Sequence, residues 1–348
     1  MSSRSLRVSR VAVLSSFDLT VAIEMVEAGR LPRHHLWGSD ALQAVGLHST
    51  PLRGMSWTQS RGVRLAAARH FGDLPREVGV VIRPGRFAAV LSLDEDSSRG
   101  LALLPRRARP PLATILHKAP AGKAAGRVVA GSDAVLALSP AIAAQANLSP
   151  DRHCGWGPDL DFGGYHPRGE SAGVVSAGQV NRDVRLLLAA LADTGWSGTV
   201  WAEPEARLAE PGGVTVRRFG QTPGVAGQFG LDNVIAELQS AAVIAIPITD
   251  PVRLSGLTEL NDALALGKPV VMTRTPHLPF DLDAEGVGIT VAPGDRSGWR
   301  EALSRLADGP TRAAMGGRAR EFAEKSYNYR LFSDRVCALM TELVEGRP

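Results

Sequence analysis

Residues 253–271, RLSGLTELNDALALGKPVV, carry the pattern on which the fold reading turns. Ser255-Gly256-Leu257-Thr258 opens a helix, Asp262 sits one turn further in, and Gly267-Lys268-Pro269 stops the helix just before an apolar strand. AVIAIPI (242–248) precedes this stretch as a strand and PVVMT (269–273) follows it as another. A helix between two buried strands is a crossover, and crossovers join parallel strands.

The same alternation extends towards both ends. In the second half, AGVVSAG (172–178), GTVWAE (198–203) and VTVRRFG (214–220) read as strands. RDVRLLLAALADTG is a helix stopped by Gly195, and DNVIAELQSA a helix with Asp232 as its expected N-cap. In the first half, VAVLSS (11–16), FAAVLSL (87–93), PLATILH (111–117) and DAVLALS (133–139) are strands. Ser139 caps the helix that follows, with Pro140 in its first position. After Pro32, RHHLWGSDALQAVG has apolar residues at helical spacing, and residues 56–71 also read as helical. GWGPDLDFGGYHPRGES (155–171) interrupts this rhythm with five glycines and two prolines in 17 residues, a linker composition. REFAEKSYNYRLFSDRVCALMTEL closes the chain as one or two helices. The expectation is an α/β protein with two doubly wound halves.

The chain has 348 residues, enough for two domains at roughly 100–200 residues each. Hydrophobic residues make up 44% and charged residues 21%, the balance of a globular chain. The net charge of +4 is spread along the sequence, and RRAR at 106–109 is its densest cluster. That pattern does not favour nucleic acid as a partner. It suits phosphorylated small molecules, and it admits peripheral contact with an anionic membrane. The two cysteines, Cys154 and Cys337, lie far apart with no CxxC, which argues against a structural zinc site and for a reducing compartment. No apolar run approaches the ~20 residues of a membrane span. The basic start MSSRSLRVSR is followed by VAVLSS, which turns polar too soon for a signal peptide, so a cytoplasmic location is expected.

The first N–H groups of a helix lack internal partners and carry partial positive charge, so a glycine there lets an anion approach the backbone. Ser255, Gly256 and Thr258 are thus candidates for a phosphate site; the alternative is that Ser255 only caps the helix and Gly256 only turns the chain. Asp262, four residues after Thr258, shares that face and could accept hydrogen bonds from vicinal hydroxyls such as those of ribose. Glu259, one turn earlier, is the rival for that role.

GLTELNDALALGKPVV resembles the C-terminal nucleotide-binding motif of the retaining, glycogen-synthase-like GT-B glycosyltransferases. Their pattern is an acidic residue, then Ala-x-Ala-x-Gly-x-Pro-Val and a strand. Asp262-Ala263-Leu264-Ala265-Leu266-Gly267-Lys268-Pro269-Val270 matches it, with Asp for the usual Glu. In the family this acidic residue binds the ribose. A second Glu commonly stands eight residues earlier, where this chain has Leu254; the stretch is similar to a subset with Ser-Gly-x-Thr. VVSAGQVNRDVRLLLAALADTG is similar to the first strand and helix of the same domain, which places Arg182 where a basic residue reaches the diphosphate. WGPDLDFGGYHP is similar to the family's interdomain stretch, and the resemblance covers about residues 155–335.

The resemblance implies two Rossmann-like domains facing across a cleft: an acceptor domain over 1–160, a nucleotide-sugar domain over 161–325, and a last helix over 326–348 that returns to the first. It implies transfer of a sugar from a nucleoside-diphosphate sugar, with retention, to a small-molecule, glycan or lipid-linked acceptor. The sugar nucleotide is a substrate, so no cofactor is expected. Arg182, Ser255, Gly256, Leu257 and Thr258 would hold the diphosphate, and Asp262 or Glu259 the ribose. No Asp-x-Asp stands in a suitable loop, so metal independence is expected. TILHKAP puts His117 at a strand end, similar to a Thr-x-His-Asp of related enzymes, with Lys118 replacing the Asp. His117 is the catalytic candidate at the donor sugar; its alternative is a histidine satisfying a backbone carbonyl. His34 and His35 are expected on different sides of a helix, one of them packing, the other with Trp37 offered to an acceptor sugar. Two other functions fit this architecture. A non-hydrolysing sugar-nucleotide epimerase needs more acid and base groups than the sequence offers, and a non-catalytic nucleotide-binding protein would explain the missing Gly-Gly loop after the first strand and the missing first Glu.

Overall fold

The computed structural model describes residues 9–52, 74–82, 85–120, 122–203, 207–219, 232–252 and 254–346. The expected helix over 56–71 lies outside them. The chain divides into two compact units. One comprises Met1–Glu24, Arg33–Gly155 and Arg330–Pro348, and the other Met25–Pro32 and Trp156–Tyr329.

The first unit runs β1 (Ser9–Leu14), α1 (Leu19–Glu27), β2 (Leu47–Pro51), α2 (Leu74–Val81), β3 (Ala89–Ser92), α3 (Arg99–Leu103), β4 (Leu112–Leu116), α4 (Gly122–Gly131), β5 (Ala134–Ala137) and α5 (Pro140–Gln145). Its five strands pair in parallel in the order β2-β1-β3-β4-β5. β3 and β4 are buried at every position, the signature of a sheet covered on both faces. The Ser139 hydroxyl accepts from Ile142 N, so the expected cap is present. Several elements escaped the sequence reading, α1, β2, α2, α3 and α4 among them. α1 lies in the segment after β1 that carried no clear period, and β2 is a short edge strand, LHSTP, buried at one residue. The stretch after Pro32 is not one α-helix but two short 3-10 helices, Arg33–Leu36 and Ala41–Val45.

The second unit runs β6 (Val174–Ser176), α6 (Val184–Thr194), β7 (Gly198–Ala202), β8 (Val214–Arg218), α7 (Asp232–Gln239), β9 (Val243–Ile246), α8 (Leu257–Leu266), β10 (Val270–Thr273), β11 (Gly288–Val291), α9 (Arg296–Arg305) and α10 (Gly309–Lys325). A last helix, α11 (Tyr329–Glu345), ends the described chain. The six strands are parallel in the order β11-β10-β9-β6-β7-β8. Gly195 ends α6 in the left-handed region, as expected.

α8 is the buried helix of this unit, with every residue but Thr258 out of solvent. Gly267 ends it at φ 61, and Lys268 N donates back to Ala263 O at 2.9 Å. α10 crosses this end closely. A Cβ on Gly316 would collide with the Gly267 carbonyl, and Arg320 Nη1 donates to Ala265 O at 2.6 Å.

The two adjacent glycines of α10 should respond in opposite senses to alanine. Gly316→Ala overpacks the α8–α10 contact and should lower the thermal midpoint, by the equivalent of about 1–3 kcal/mol. Gly317 is exposed and uncrowded, so Gly317→Ala should raise it slightly through helix propensity, by up to about 1 kcal/mol. Calorimetric melts of both variants check the packing.

Candidate functional site

The second sheet fills outward in two directions from β6. The chain adds β7 and β8 on one side, then returns to lay β9 on the other. Ligands of open parallel sheets bind outside the strand carboxyl ends where the order reverses. Here that point lies between β6 and β9, where residues 177–183 leave β6 and residues 247–256 leave β9.

These two loops are tied together by Asn181. Its Nδ2 donates to Asp250 O at 2.9 Å and to Ser255 Oγ at 3.1 Å, and its Oδ1 accepts from Asp250 N at 2.8 Å. Asn181 sits at φ 60, a conformation that asparagine tolerates better than most residues. Asp183 N donates to Pro247 O, and its side chain caps α6 by accepting from Leu186 N.

The clip brings Arg182 to the start of α8. The N-cap is Gly256, not Ser255: Gly256 stands at φ 84, and a Cβ there would lie 2.5 Å from Ile246 Cγ2. Only glycine lets the helix begin this close to β9. The Arg182 guanidinium lies against Gly178, where any Cβ would collide with it, and near Gly256. Its Nη1 donates to Val180 O at 2.6 Å, and its Nη2 pairs with Glu259, in the first turn of α8. Both side chains are 7% exposed. Arg182 Nε and Glu259 Oε1 have no hydrogen-bond partner. A cleft of about 470 Å³ reaches Arg182, lined among others by Gly178, Asn181, Arg185, Glu203 and Thr249. The structure therefore gathers Arg182, Ser255, Gly256, Leu257, Thr258 and Glu259 in one place. Sequence reasoning missed Asn181 and the role of Gly178; an asparagine directly before the candidate arginine and a glycine two residues past the strand were the available signals.

Asp262 is placed differently from Glu259. It is 3% exposed and accepts the Tyr165 hydroxyl at 2.6 Å. Burial pushes its carboxyl up to about 7, against the lowering effect of the Tyr165 hydrogen bond and with a further rise from Glu259. Its neighbours serve the same segment: Asn261 Nδ2 donates to Trp156 O at 3.0 Å, and Lys268 Nζ to Arg168 O at 3.2 Å.

The remaining candidates belong to the first unit. His117 Nε2 lies 2.7 Å from Leu93 O. A carbonyl only accepts, so Nε2 carries the proton and Nδ1 is the acceptor nitrogen. The His117 ring packs on Trp37 with centroids 4.5 Å apart, and its backbone N donates to Glu95 at 2.9 Å. Lys118 is paired with Glu95 and Asp96. Trp37 is 8% exposed and also meets Phe332 edge-on, so its ring is already packed. His34 and His35 do not point to different sides. In the 3-10 turn their rings lie 4.5 Å apart. His34 is fully buried, and desolvation lowers both, His35 to about 4.

No family model matches the chain. It is 32% identical over 174 residues to a D-inositol 3-phosphate glycosyltransferase of Saccharomonospora viridis, a match that takes in 48% of this chain and 38% of that relative. Among solved structures, a sucrose-phosphate synthase from Thermosynechococcus elongatus superposes with a TM-score of 0.72 over 97% of this chain and 100% of that one, at 16% identity. HepE of Anabaena, in complex with UDP-glucose, superposes with a TM-score of 0.65 over 96% and 99%, at 14% identity. The fold is that of GT-B glycosyltransferases. The chain spans well under two thirds of the length of the curated relatives it matches.

The raised Asp262 carboxyl gives a pH signature. The folded state holds this proton more tightly than the unfolded chain, so the group's stabilising contribution is full below the ordinary carboxyl range and is lost as pH rises to about 7. Asp262→Asn keeps an uncharged side chain at every pH. The variant's midpoint, relative to wild type, should climb between about pH 4 and about pH 7 and level off above. A difference that stays flat across that range would contradict the assignment.

Proposed function

We propose that the protein is a glycosyltransferase that moves a sugar from a nucleoside-diphosphate sugar to an acceptor. The observation that carries this reading is Arg182 standing at the Gly256 start of α8, at the point where the second sheet reverses its order. Backbone N–H groups, the helix dipole and a guanidinium there converge on one anion. As the sugar–phosphate bond breaks, negative charge grows on the departing diphosphate, and these groups stabilise it. Ser255 and Thr258, both partly exposed beside Gly256, add hydroxyl donors. Metal independence belongs to the same proposal and rests on these donors. The D-inositol 3-phosphate glycosyltransferase relative and HepE, solved with UDP and with UDP-glucose, support a sugar nucleotide as donor. Retention at the anomeric centre and membership of the glycogen-synthase-like group belong to the same proposal and rest on the α8 motif. Of the two carboxylates proposed for the ribose, Glu259 lies at the phosphate end and Asp262 is held by Tyr165. No helix among the described residues is long and apolar enough to cross a membrane.

In this reading His117 acts from the first unit, through Nδ1, on the hydroxyl groups of the reacting sugars. Two measurements test the assignments. Arg182→Ala should weaken UDP binding by about 1.5–3 kcal/mol, roughly 10- to 100-fold, and uridine binding hardly at all. Equal losses for both ligands in calorimetry would remove Arg182 from the phosphate site. His117→Ala should lower turnover in a transfer assay while leaving UDP affinity intact; a fully active variant would end its catalytic role. Conversion of a nucleotide sugar without any acceptor would indicate an epimerase instead.

A further inference from the structure

We propose that Glu259 is a built-in competitor for the anion, a carboxylate that occupies Arg182 until a diphosphate displaces it. The inference rests on the phosphate-site reading above and goes beyond it by giving Glu259 an inhibitory role rather than a ribose contact.

Three observations carry it. The carboxylate sits in the first turn of α8, where the unpaired N–H groups and the dipole attract any anion, and it pairs there with the guanidinium that would otherwise hold the ligand. Both side chains are more than nine-tenths buried, yet the pair is incomplete. Arg182 Nε and Glu259 Oε1 each lack a partner. A buried ion pair gains little unless its remaining hydrogen bonds are filled. The third observation is the cleft of about 470 Å³ that reaches Arg182 and gives an anion its approach.

A carboxylate elsewhere in the chain, beside an arginine whose Nε also lacks a partner, has both of its oxygens engaged. Asp133 engages Arg106 with one oxygen, and Arg109 and Leu112 N with the other. Glu259 uses a single oxygen on a single partner. The difference lies in the carboxylate, and it marks the Arg182–Glu259 contact as exchangeable. A diphosphate oxygen accepting from Arg182 takes the guanidinium from Glu259. The displaced carboxylate stays beside the α8 N-terminus, which partly offsets its charge, but it repels the ligand. That repulsion, and the loss of the ion pair, are drawn from the binding free energy.

The test is calorimetric titration of inorganic pyrophosphate and of UDP into wild type, Glu259→Gln and Arg182→Ala, with circular dichroism and thermal melts to confirm folding. Glu259→Gln removes the competing charge at nearly constant volume and should bind both ligands about tenfold more tightly. Arg182→Ala should bind both more weakly, and adding Glu259→Gln to it should restore little, since there is no guanidinium left to release. If Glu259→Gln fails to fold, Glu259→Asp, which draws the carboxylate back by one methylene, should tighten binding in the same direction. Weaker pyrophosphate binding by Glu259→Gln would overturn the proposal and make Glu259 a support that positions Arg182. Loss of UDP but not pyrophosphate affinity would overturn it in favour of a ribose contact. If neither ligand binds wild type or any variant, the phosphate-site reading itself fails and the competitor falls with it.

Discussion

The return of β9 to the side of β6 is the constraint on which the candidate site depends. Where an open parallel sheet reverses its strand order, a crevice opens outside the carboxyl ends of the two neighbouring strands. In this chain the two ends are 177–183 and 247–256, and Asn181 fastens them with three hydrogen bonds to Asp250 and Ser255. The rest of the geometry follows. Gly256 lets α8 start in contact with Ile246, and Gly178 makes room for the Arg182 guanidinium beside it.

α8 itself shows how one helix divides its polar residues between structure and chemistry. A helix buried on all sides has no solvated face to receive them, so each needs a partner inside. Asn261, Asp262 and Lys268 find theirs in the segment Trp156–Arg168, through the Trp156 carbonyl, the Tyr165 hydroxyl and the Arg168 carbonyl. Gln239 on α7 adds a bond to the Gly164 carbonyl at 2.6 Å. A glycine-rich stretch that reads as linker is therefore pinned by hydrogen bonds to α8, to Lys268 just beyond it and to α7. Asn261 Oδ1 and, at the opposite end, Glu259 Oε1 are the α8 oxygens left without a hydrogen-bond partner.

Most strands of both sheets, though not β2 or β11, were legible because buried parallel strands are short continuous apolar runs, and punctuation such as Ser139-Pro140 and Gly195 fixed helix ends. What escaped had a physical reason in each case. β2 pairs at the sheet edge with one buried residue in five, so it lacks the apolar run that marks its neighbours. His34 and His35 were assigned to opposite sides by the period of an α-helix, which a 3-10 turn does not obey. The start of α8 was read correctly in position, but its cap was divided between Ser255 and Gly256. A left-handed φ decides for the glycine, and the need for that φ arises from Ile246, a contact no local pattern contains. The partners of Asp262 and Arg182 were beyond reach for the same reason: Tyr165 is 97 residues from one, and Glu259 is 77 from the other.

The two sheets differ in strand order, but each reverses its order once, and the two reversal points carry different side chains. In the first, the order β2-β1-β3-β4-β5 reverses between β1 and β3, and the loop leaving β3 carries Asp94, Glu95 and Asp96. Asp94 accepts from Ser16 N at 2.8 Å and from Ser97, and Glu95 receives the His117 N–H. These carboxylates hold the loops of that edge together, as Asn181 does in the second unit, but they make it a poor place for phosphate. Two like charges at close range disfavour each other wherever water is scarce. A diphosphate meeting this chain therefore finds one switch point lined with acceptors and another presenting a guanidinium, a helix N-terminus and two hydroxyls. Hydroxyl-bearing ligands, which donate hydrogen bonds, are the ones that acceptor-rich loops and the Nδ1 of His117 can receive. The carboxylate-rich edge of the first unit and the arginine-bearing edge of the second thus offer different chemistry to a ligand.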